Sequence, residues 1–485
     1  MTSNKIDSRI TQLIVSVSAF LLVYVALFSV KHYADSESMN HYFIVESVFT
    51  NPVMALDHWG KPLFIALSCL FSFFGDRGVM IFNVLVMILS ALISFKLSRK
   101  LGAKYSFIAP VLLLFAPVYY PFAQSCLTEP LFGLVAIYSA LLFANKRYTF
   151  AAIVISFIIY SRSEGILFLP IYFMALLLKN EWKPLPFLGV GFLSYSLLGA
   201  LLGKGFLWYF YDYPYSSIVS FYGTGPFWNW FIHYESIVGL PFAILIVVSF
   251  VLLTFQTLLK LRNSLNSQNL VLIYLITVPA AIYIFGHSFL WYKGWSASVG
   301  LPRIVGGVLP LIAVFTTVST NKLLSYVPFF WFKKRGHFLA IILFACWMVI
   351  FTFSGKKSVI LSQPNDMNKL INESIDWLEN EGYPKGKESV VVYKTDYLVH
   401  FGVNPKKEEK SFLKTNIHRR TQPEKELESG DLIVWDGQTT PNEGGISFLS
   451  LDTNSHFEKL ATFYPPVNFK VLGGGNYFIV IFKRK

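Results

Sequence analysis

The segment ITQLIVSVSAFLLVYVALFSV (10–30) is followed almost directly by HYADSESMNHYFIVES (32–47), and this pair indicates the class of fold. A run of about twenty apolar residues is long enough for a helix to cross a bilayer. No small-residue cleavage site follows the run, so it is interpreted as a retained membrane span and not as a signal peptide. The carboxylates Asp35, Glu37 and Glu46 come next, either as residues that meet water or as part of a functional site.

Composition extends this interpretation to most of the chain. Of the 485 residues, 54% are hydrophobic and only 14% are charged, whereas soluble domains carry about 25% charged residues. Apolar runs recur over residues 10–354, which predicts a polytopic membrane protein. The net charge of +13 is attributed to Lys and Arg in cytoplasmic loops, which fix orientation, and no nucleic-acid partner is expected. The cysteines all lie in apolar runs, so no disulfide or metal framework is indicated.

Length and charge together predict about eleven transmembrane helices, with the amino terminus in the cytoplasm. The expected spans are 10–30, 78–97, 105–121, 127–144, 148–160, 164–179, 186–207, 237–260, 270–289, 299–319 and 338–354. This arrangement keeps the basic loops inside the cell, whereas fusing the fifth and sixth spans would move Lys260 and Arg262 outside. Residues 62–74 are too short for a span and are interpreted as an interfacial or re-entrant helix on the outer face.

The composition becomes more polar near residue 354, which predicts two domains. A transmembrane domain covers residues 1–354, with a first outer loop at 31–77, and a soluble α/β domain covers 355–485. In the second domain, residues 366–382 have the pattern of an amphipathic helix. Its expected strands are 389–393, 431–435 and 477–482. An odd number of spans places this domain outside the cytoplasm.

The same topology collects unusual charges on the outer face. The candidate site residues there are Asp35, Glu37, Asp57, His58, Lys61, Glu129, Arg162, Glu164, His287 and Arg303. Several of them lie at span ends or within apolar runs, where a charge costs about 2.5–3.5 kcal/mol on insertion scales. Charges in such places usually face a polar cavity with a partner, so a substrate site on the outer face is one interpretation.

Most of these candidates also have a plainer structural explanation. The acids of the first outer loop would be solvated, and DHWGKP (57–62) would begin an interfacial helix with proline in its first turn. TEP (128–130) would cap a helix, SRSEG (161–165) would form a polar turn, and Arg303 would snorkel to the interface. The aromatic loop 207–235 would be an interfacial belt or a wall for a lipid chain or a sugar. An arginine facing a cavity would instead suit a phosphate, because its fork is bidentate and always charged.

The order of these motifs resembles that of a known family. An apolar first span, acids in the first outer loop and D-x-W-x-K-P at 57–62 resemble the GT-C superfamily of integral-membrane glycosyltransferases. The nearest likeness is to the branch of protein O-mannosyltransferases and lipid A aminoarabinose transferases. TEP (128–130), SRSEG (161–165) and GLPRIVGGVLPLIAV (300–314) are also similar to that group. The likeness covers most of residues 10–354, and its specificity lies in the order and common side of short motifs.

The resemblance implies a polyprenyl-phosphate sugar donor, an active site at the outer membrane face and an inverting, one-step transfer to an acceptor hydroxyl. Asp35 matches the catalytic acid of the family's first loop and would act as general base, with Glu37 as the other candidate. Cations would stabilise the leaving phosphate, in the expected order Arg303, Lys61 and Arg162. No cofactor is obligatory for this chemistry, and a divalent metal ion is compatible with it but not indicated.

Two departures from the family pattern affect these expectations. Ser36 separates Asp35 from Glu37, whereas the family commonly has adjacent D-E, and positions i and i+2 of a helix point apart. The usual K-P-P is here KPL (61–63). Asp57 would be a second acid that orients Lys61 or the acceptor.

Other functions fit parts of the pattern. A transporter or flippase of lipid-linked saccharides would show internal repeats with broken helices in matching halves, and no such repeat is evident. A polymerase or ligase of surface polysaccharides would also use lipid-linked sugars at the outer face. A scaffold that presents the α/β domain would not require charges beside the spans. The expected partners are the donor, membrane lipids and a glycan, lipid or protein acceptor; whether a hexose or a pentose is transferred stays open.

Overall fold

The computed structural model describes residues 3–29, 35–214, 222–260, 267–296, 298–326, 343, 346–348, 350, 366–383, 388–407, 412–415, 421–471 and 474–485. The protein is mostly helical (66%), with a small sheet in its carboxy-terminal part. The fold class predicted from the sequence, a helical membrane protein with a carboxy-terminal α/β unit, is confirmed.

Helices make up the part of the chain that precedes the sheet. They are α1 (Ser3–Phe28), α2 (Asp35–Ser47), α3 (Pro62–Ser68), α4 (Gly75–Lys100), α5 (Ile108–Leu114), α6 (Glu129–Ala144), α7 (Tyr148–Ser156), α8 (Ile158–Ser161), α9 (Phe168–Leu178), α10 (Val190–Leu201), α11 (Trp208–Tyr211), α12 (Asn229–Ile232), α13 (Tyr234–Ile237), α14 (Gly239–Lys260), α15 (Ser267–Leu270), α16 (Val278–Lys293) and α17 (Leu309–Tyr326). Short 3-10 helices join them at Pro52–Leu56, Cys69–Phe74, Tyr120–Gln124, Ser163–Leu167, Leu185–Gly189 and Pro302–Val308, and a π-helical segment lies at Val271–Thr277.

Several of these helices are long and apolar enough to cross a membrane. In the described ranges the four such stretches are Asp7–Phe28, Pro62–Lys100, Gln268–Lys293 and Pro302–Leu324. Apolar helices of 10–17 residues lie at Glu129–Ala144, Tyr148–Ser161, Ser163–Leu178, Leu185–Leu201 and Gly239–Leu252. The protein is a multi-pass membrane protein. The number of eleven spans is still a prediction, because the third expected span is helical over only seven residues in α5 and most of the eleventh lies outside the described residues.

The stretch Pro62–Lys100 is bent sharply at Gly75. Gly75 has φ 71° and ψ −164°, a backbone conformation that is essentially restricted to glycine. After the bend, α4 packs so closely on the preceding turn that a Cβ at Gly78 would lie 1.9 Å from the carbonyl oxygen of Phe71. Residues 62–74 are therefore an element separate from α4, in agreement with the sequence-based prediction, whereas their depth in the membrane is still a prediction.

The carboxy-terminal part is built on a five-stranded sheet with strand order β2-β1-β3-β5-β4. Its elements are α18 (Asp366–Asn380), β1 (Val390–Val391), α19 (Thr395–His400), β2 (Leu413–Lys414), β3 (Leu432–Asp436), α20 (Thr439–Asn442), α21 (Phe448–Asp452), β4 (Phe457–Phe463) and β5 (Ile479–Arg484), with a 3-10 turn at Pro423–Lys425. Strand β1 runs parallel to β2 and β3, whereas β5 is antiparallel to β3 and β4. The expected helix and strands are present, and β2 and β4 are additional. The expected domain boundary after residue 354 lies outside the described residues.

Helix α2 is shared by the two parts of the molecule. Met39 and Phe43 belong to the buried cluster that α18 and one face of the sheet form, whereas Ile44 and Val45 are buried among the membrane helices. The 3.6-residue period of the helix accounts for this, because positions 39 and 43 share one face and the other two positions lie on a different one. The helix that follows the first span is thus packed on both sides.

Candidate active site

Lys61 is held in a strained turn. The carboxylate of Asp57 accepts a hydrogen bond from the backbone N–H of Gly60 at 2.7 Å, which closes the turn in a way that aspartate often does. Lys61 then has φ 61° and ψ 106°, a region that residues with a Cβ rarely occupy, and Pro62 follows in the first turn of α3, where its fixed φ is favourable. Backbone strain of this kind is concentrated at functional sites.

The side chain of Lys61 lies in a poorly hydrated place and is only 8% exposed. Burial lowers the pKa of Lys61 from 10.5 to about 8, the Glu164 carboxylate opposes this shift, and the Arg162 guanidinium adds to it. Lys61 is therefore cationic at neutral pH, close to the point where it loses its proton. A buried cation in this state favours the approach of an anion.

Arg303 links α2 to the start of α6. Its guanidinium donates a hydrogen bond to the carboxylate of Glu37, and its Nε lies 3.7 Å from Oε1 of Glu129. Glu129 is 1% exposed, and its Oε1 also pairs with Nη1 of Arg162 at 2.9 Å. One buried carboxylate is therefore placed between two arginines.

The same network of paired side chains continues toward α16. Nη2 of Arg162 lies 3.1 Å from Oε1 of Glu164, and Nε2 of His287 lies 3.2 Å from that oxygen. The side chains of Arg162 and Arg303 are only 12% and 10% exposed. A snorkelling arginine would place its guanidinium in water, which does not describe the buried and paired Arg303. SRSEG does form a turn, but the charges of Arg162 and Glu164 in it are paired.

The residues of this network come from elements that are far apart in sequence. They lie on α2, at the first residue of α6, where α8 meets the 3-10 helix Ser163–Leu167, on α16 and in the 3-10 turn Pro302–Val308. Thr128, at the start of α6, makes no side-chain capping hydrogen bond, so the pairing of Glu129 with arginines replaces the expected cap. Buried charges are tolerated only when they are paired, and this network pairs them where several helix ends meet.

His58 lies beside this network in an aromatic pocket. Its ring centroid is 5.0 Å from that of Trp208, 4.8 Å from Tyr209 and 6.0 Å from Tyr213. Burial lowers the pKa of His58 to about 4, and the positive charge of Lys61 adds to the shift. His58 is thus uncharged at neutral pH, and the first aromatics of the loop 207–235 form a wall next to Lys61.

Two residues of the site are absent from the sequence-based candidates. His41 lies one turn after Glu37, with Nε2 4.0 Å from Oε1 of that residue, and burial lowers the pKa of His41 to about 3. Tyr283 lies one turn before His287, with ring centroids 4.6 Å apart, and its hydroxyl donates to the carbonyl oxygen of Ile304 at 3.2 Å. A spacing of four residues on a helix is the sequence signal that connects each of them to a candidate.

Asp35 is the first residue of α2, but its side chain lies outside the part of the chain that the structure describes. Its assignment as general base therefore remains a prediction, as does the choice between Asp35 and Glu37. Among the described side chains, no group of three or more His, Cys, Asp or Glu residues is arranged to hold a metal ion. Independence of a metal is likewise untested.

Comparisons with known proteins identify the fold. No protein-family model and no curated protein matches the chain. Among solved structures, the chain is similar to ArnT from Cupriavidus metallidurans bound to undecaprenyl phosphate, with a TM-score of 0.61 and 11% identity over 97% of each chain. It is also similar to an oligosaccharyltransferase of Archaeoglobus fulgidus tethered to an acceptor peptide, with a TM-score of 0.54 and 12% identity over 96% of this chain and 74% of the other. The chain has the fold of these two solved structures, and the resemblance seen in the sequence is confirmed at the level of the fold.

Proposed function

We propose that this protein is an inverting glycosyltransferase that moves a sugar from a polyprenyl-phosphate donor to an acceptor hydroxyl at the outer face of a bacterial inner membrane. The observation that carries the proposal is the buried set of three cations, Arg303, Arg162 and Lys61, gathered beside the helix that begins at Asp35. The GT-C fold supports a glycosyltransferase, and the similar ArnT structure contains undecaprenyl phosphate.

In the proposed reaction, Asp35 takes the proton of the acceptor hydroxyl while the hydroxyl oxygen bonds to the anomeric carbon. The bond between that carbon and the phosphate oxygen breaks, and the polyprenyl phosphate leaves with the electron pair. Attack from the face opposite the phosphate inverts the configuration in one displacement. Phosphate is already a good leaving group, so the reaction needs no obligatory cofactor; cations that meet its developing charge lower the barrier further.

The environments of the three cations support an order of roles. Arg162 is bonded to Glu129 and Glu164, so two carboxylates of the protein balance its positive charge. Arg303 shares Glu129 with Arg162 at the longer distance of 3.7 Å, and its other partner, Glu37, has a side chain that is 33% exposed. A phosphate that enters beside Glu37 would therefore compete with this carboxylate for Arg303. We therefore assign phosphate recognition first to Arg303, then to Lys61, with Arg162 as an electrostatic support.

The remaining assignments are part of the same proposal. The amino terminus is cytoplasmic and the α/β domain is periplasmic, so the site faces the compartment in which acceptors are found. The transferred sugar is a hexose or a pentose, and the acceptor is a glycan, a lipid or a protein. His58, His287 and the wall of aromatic rings would line the space for the donor.

The experiment that tests this function uses the purified full-length protein in detergent with radiolabelled polyprenyl-phosphate sugars and a crude fraction of periplasmic acceptors. We expect label to pass from the lipid fraction to an acceptor. Label that crosses the bilayer of proteoliposomes without leaving the lipid would support a flippase instead. Label that extends an existing lipid-linked glycan chain would support a polymerase or ligase.

The pKa of Lys61 predicts how the reaction depends on pH. Its pKa in the folded protein is lowered to about 8, so the positive charge is present below this pH and is lost as the pH rises through it. We expect kcat/KM for the donor to fall above pH about 8, since kcat/KM reports groups of the free enzyme. In Lys61→Arg, whose side chain does not lose its charge in this range, the fall should disappear. If Lys61→Arg had the same pH profile as the wild type, Lys61 would be excluded as the origin of the fall in kcat/KM.

A further inference from the structure

Helix α2 is hydrogen-bonded to the α/β domain near both of its ends. Near its start, Ser36 Oγ donates to Oδ2 of Asp396 at 3.3 Å. Near its end, Nδ2 of Asn404 donates to the carbonyl oxygen of Phe43 at 3.2 Å and to Oε2 of Glu46 at 2.8 Å. The face of α2 that carries these contacts is the one that packs on the sheet, whereas Glu37 on the other face binds Arg303.

Asn404 is the most buried polar group of this attachment. It is 6% exposed, and its Oδ1 accepts the backbone N–H of Lys406 at 2.9 Å, which fixes the direction of its amide. Lys407, three residues later, places Nζ 2.9 Å from Oε1 of Glu46. Both oxygens of the Glu46 carboxylate are therefore held by one short loop of the α/β domain.

We infer that Asn404, assisted by Lys407, is a positioning residue for sugar transfer: by holding Glu46 it fixes the orientation of α2 and, through α2, the acid at its start and the Glu37–Arg303 pair. This inference rests on the proposed function. Asn404 itself would touch neither donor nor acceptor. Its effect should therefore appear in turnover and not in donor binding, because a small displacement of a reacting group slows the chemical step.

The test is a double-mutant cycle in the full-length protein, measured as kcat and KM for a labelled donor. Asn404→Asp keeps the size of the side chain but places a second carboxylate against Glu46. We expect kcat to fall about tenfold, with KM for the donor changed less than about twofold. Glu46→Gln alone should change kcat less than about threefold. In the double variant Asn404→Asp/Glu46→Gln, part of the lost turnover should return, because the repulsion between the two carboxylates is removed, whereas the hydrogen bond to the carbonyl oxygen of Phe43 is still missing.

A matched control separates positioning from loss of stability in the α/β domain. Asp452→Asn removes the ion pair between Asp452 and Lys459, which joins α21 to the edge strand β4, and it should leave kcat unchanged. Normal kcat in Asn404→Asp, or a double variant as slow as Asn404→Asp, would overturn the inference. If the wild-type protein transfers no sugar from any donor, the proposed function fails, and the inference fails with it.

Discussion

Asp35→Asn is expected to lower kcat by about 10²–10⁴-fold, which is the range that general acid–base catalysis contributes. Asparagine has nearly the same shape as aspartate but cannot take a proton from the acceptor hydroxyl. The donor phosphate would still meet Arg303 and Lys61, so KM for the donor should change little. The measurement is initial-rate kinetics with a labelled polyprenyl-phosphate sugar, beside thermal unfolding of both proteins in detergent.

Glu37→Gln is the matched comparison for this experiment. Glu37 accepts a hydrogen bond from Arg303, so its replacement should alter phosphate recognition and change KM more than kcat. A variant Asp35→Asn with full turnover, together with a large loss of kcat in Glu37→Gln, would assign the base to Glu37. Full turnover in both variants would show that neither acid takes the proton.

Arg162→Met is expected to lower the free energy of unfolding by about 3–5 kcal/mol, the usual consequence of removing one partner from a buried ion pair. Among the described residues, the change leaves Glu129, which is 1% exposed, with the more distant Arg303 as its cationic partner, and it removes one cation from beside Glu164. Methionine fills much of the volume of the arginine stem, so the loss would come from charge and not from a cavity. A denaturant titration in detergent, followed by tryptophan fluorescence, measures it.

The triple variant Arg162→Met/Glu129→Gln/Glu164→Gln is the control for that prediction. Replacing buried charges together with their partners by neutral groups is often neutral or stabilising, whereas removing one partner alone is not. We therefore expect the triple variant to be more stable than Arg162→Met alone, although catalytically impaired. Equal stability of Arg162→Met and the wild type would show that the charges are not mutually dependent.

The candidate site could be predicted from the sequence as a set of residues but not as a set of contacts. Sorting charges by membrane side collected Glu37, Glu129, Arg162 and Arg303, because a charge beside an apolar run is costly without a partner. Which acid pairs with which arginine depends on how α2, α6 and the turn at Pro302–Val308 meet. No local pattern contains that information. His41 is connected to a candidate only by its spacing of four residues from Glu37 on α2.

The α/β domain shows the same division between local and long-range information. The helix expected at 366–382 corresponds to α18, and the buried strands β3 and β5 have clear apolar runs. Strand β4 lies at the edge of the sheet and alternates weakly, and β2 has only two residues, so neither has a pattern long enough to recognise. The hydrogen bond between Asn404 and Glu46 of α2 joins residues 358 positions apart. A periodic sequence pattern cannot predict a contact over such a separation.

The attachment of α2 also sets an order of events during synthesis. The segment that carries Asp35 and Glu37 leaves the ribosome early, but its partner Asp396 is 360 residues further along the chain. The sheet that supports this contact is complete only after β5 has paired with both β3 and β4. In a nascent protein with every membrane helix inserted, α2 would thus still lack its hydrogen bonds to the carboxy-terminal part. The proposed sugar transfer would therefore reach its full rate only after the carboxy-terminal sheet has formed.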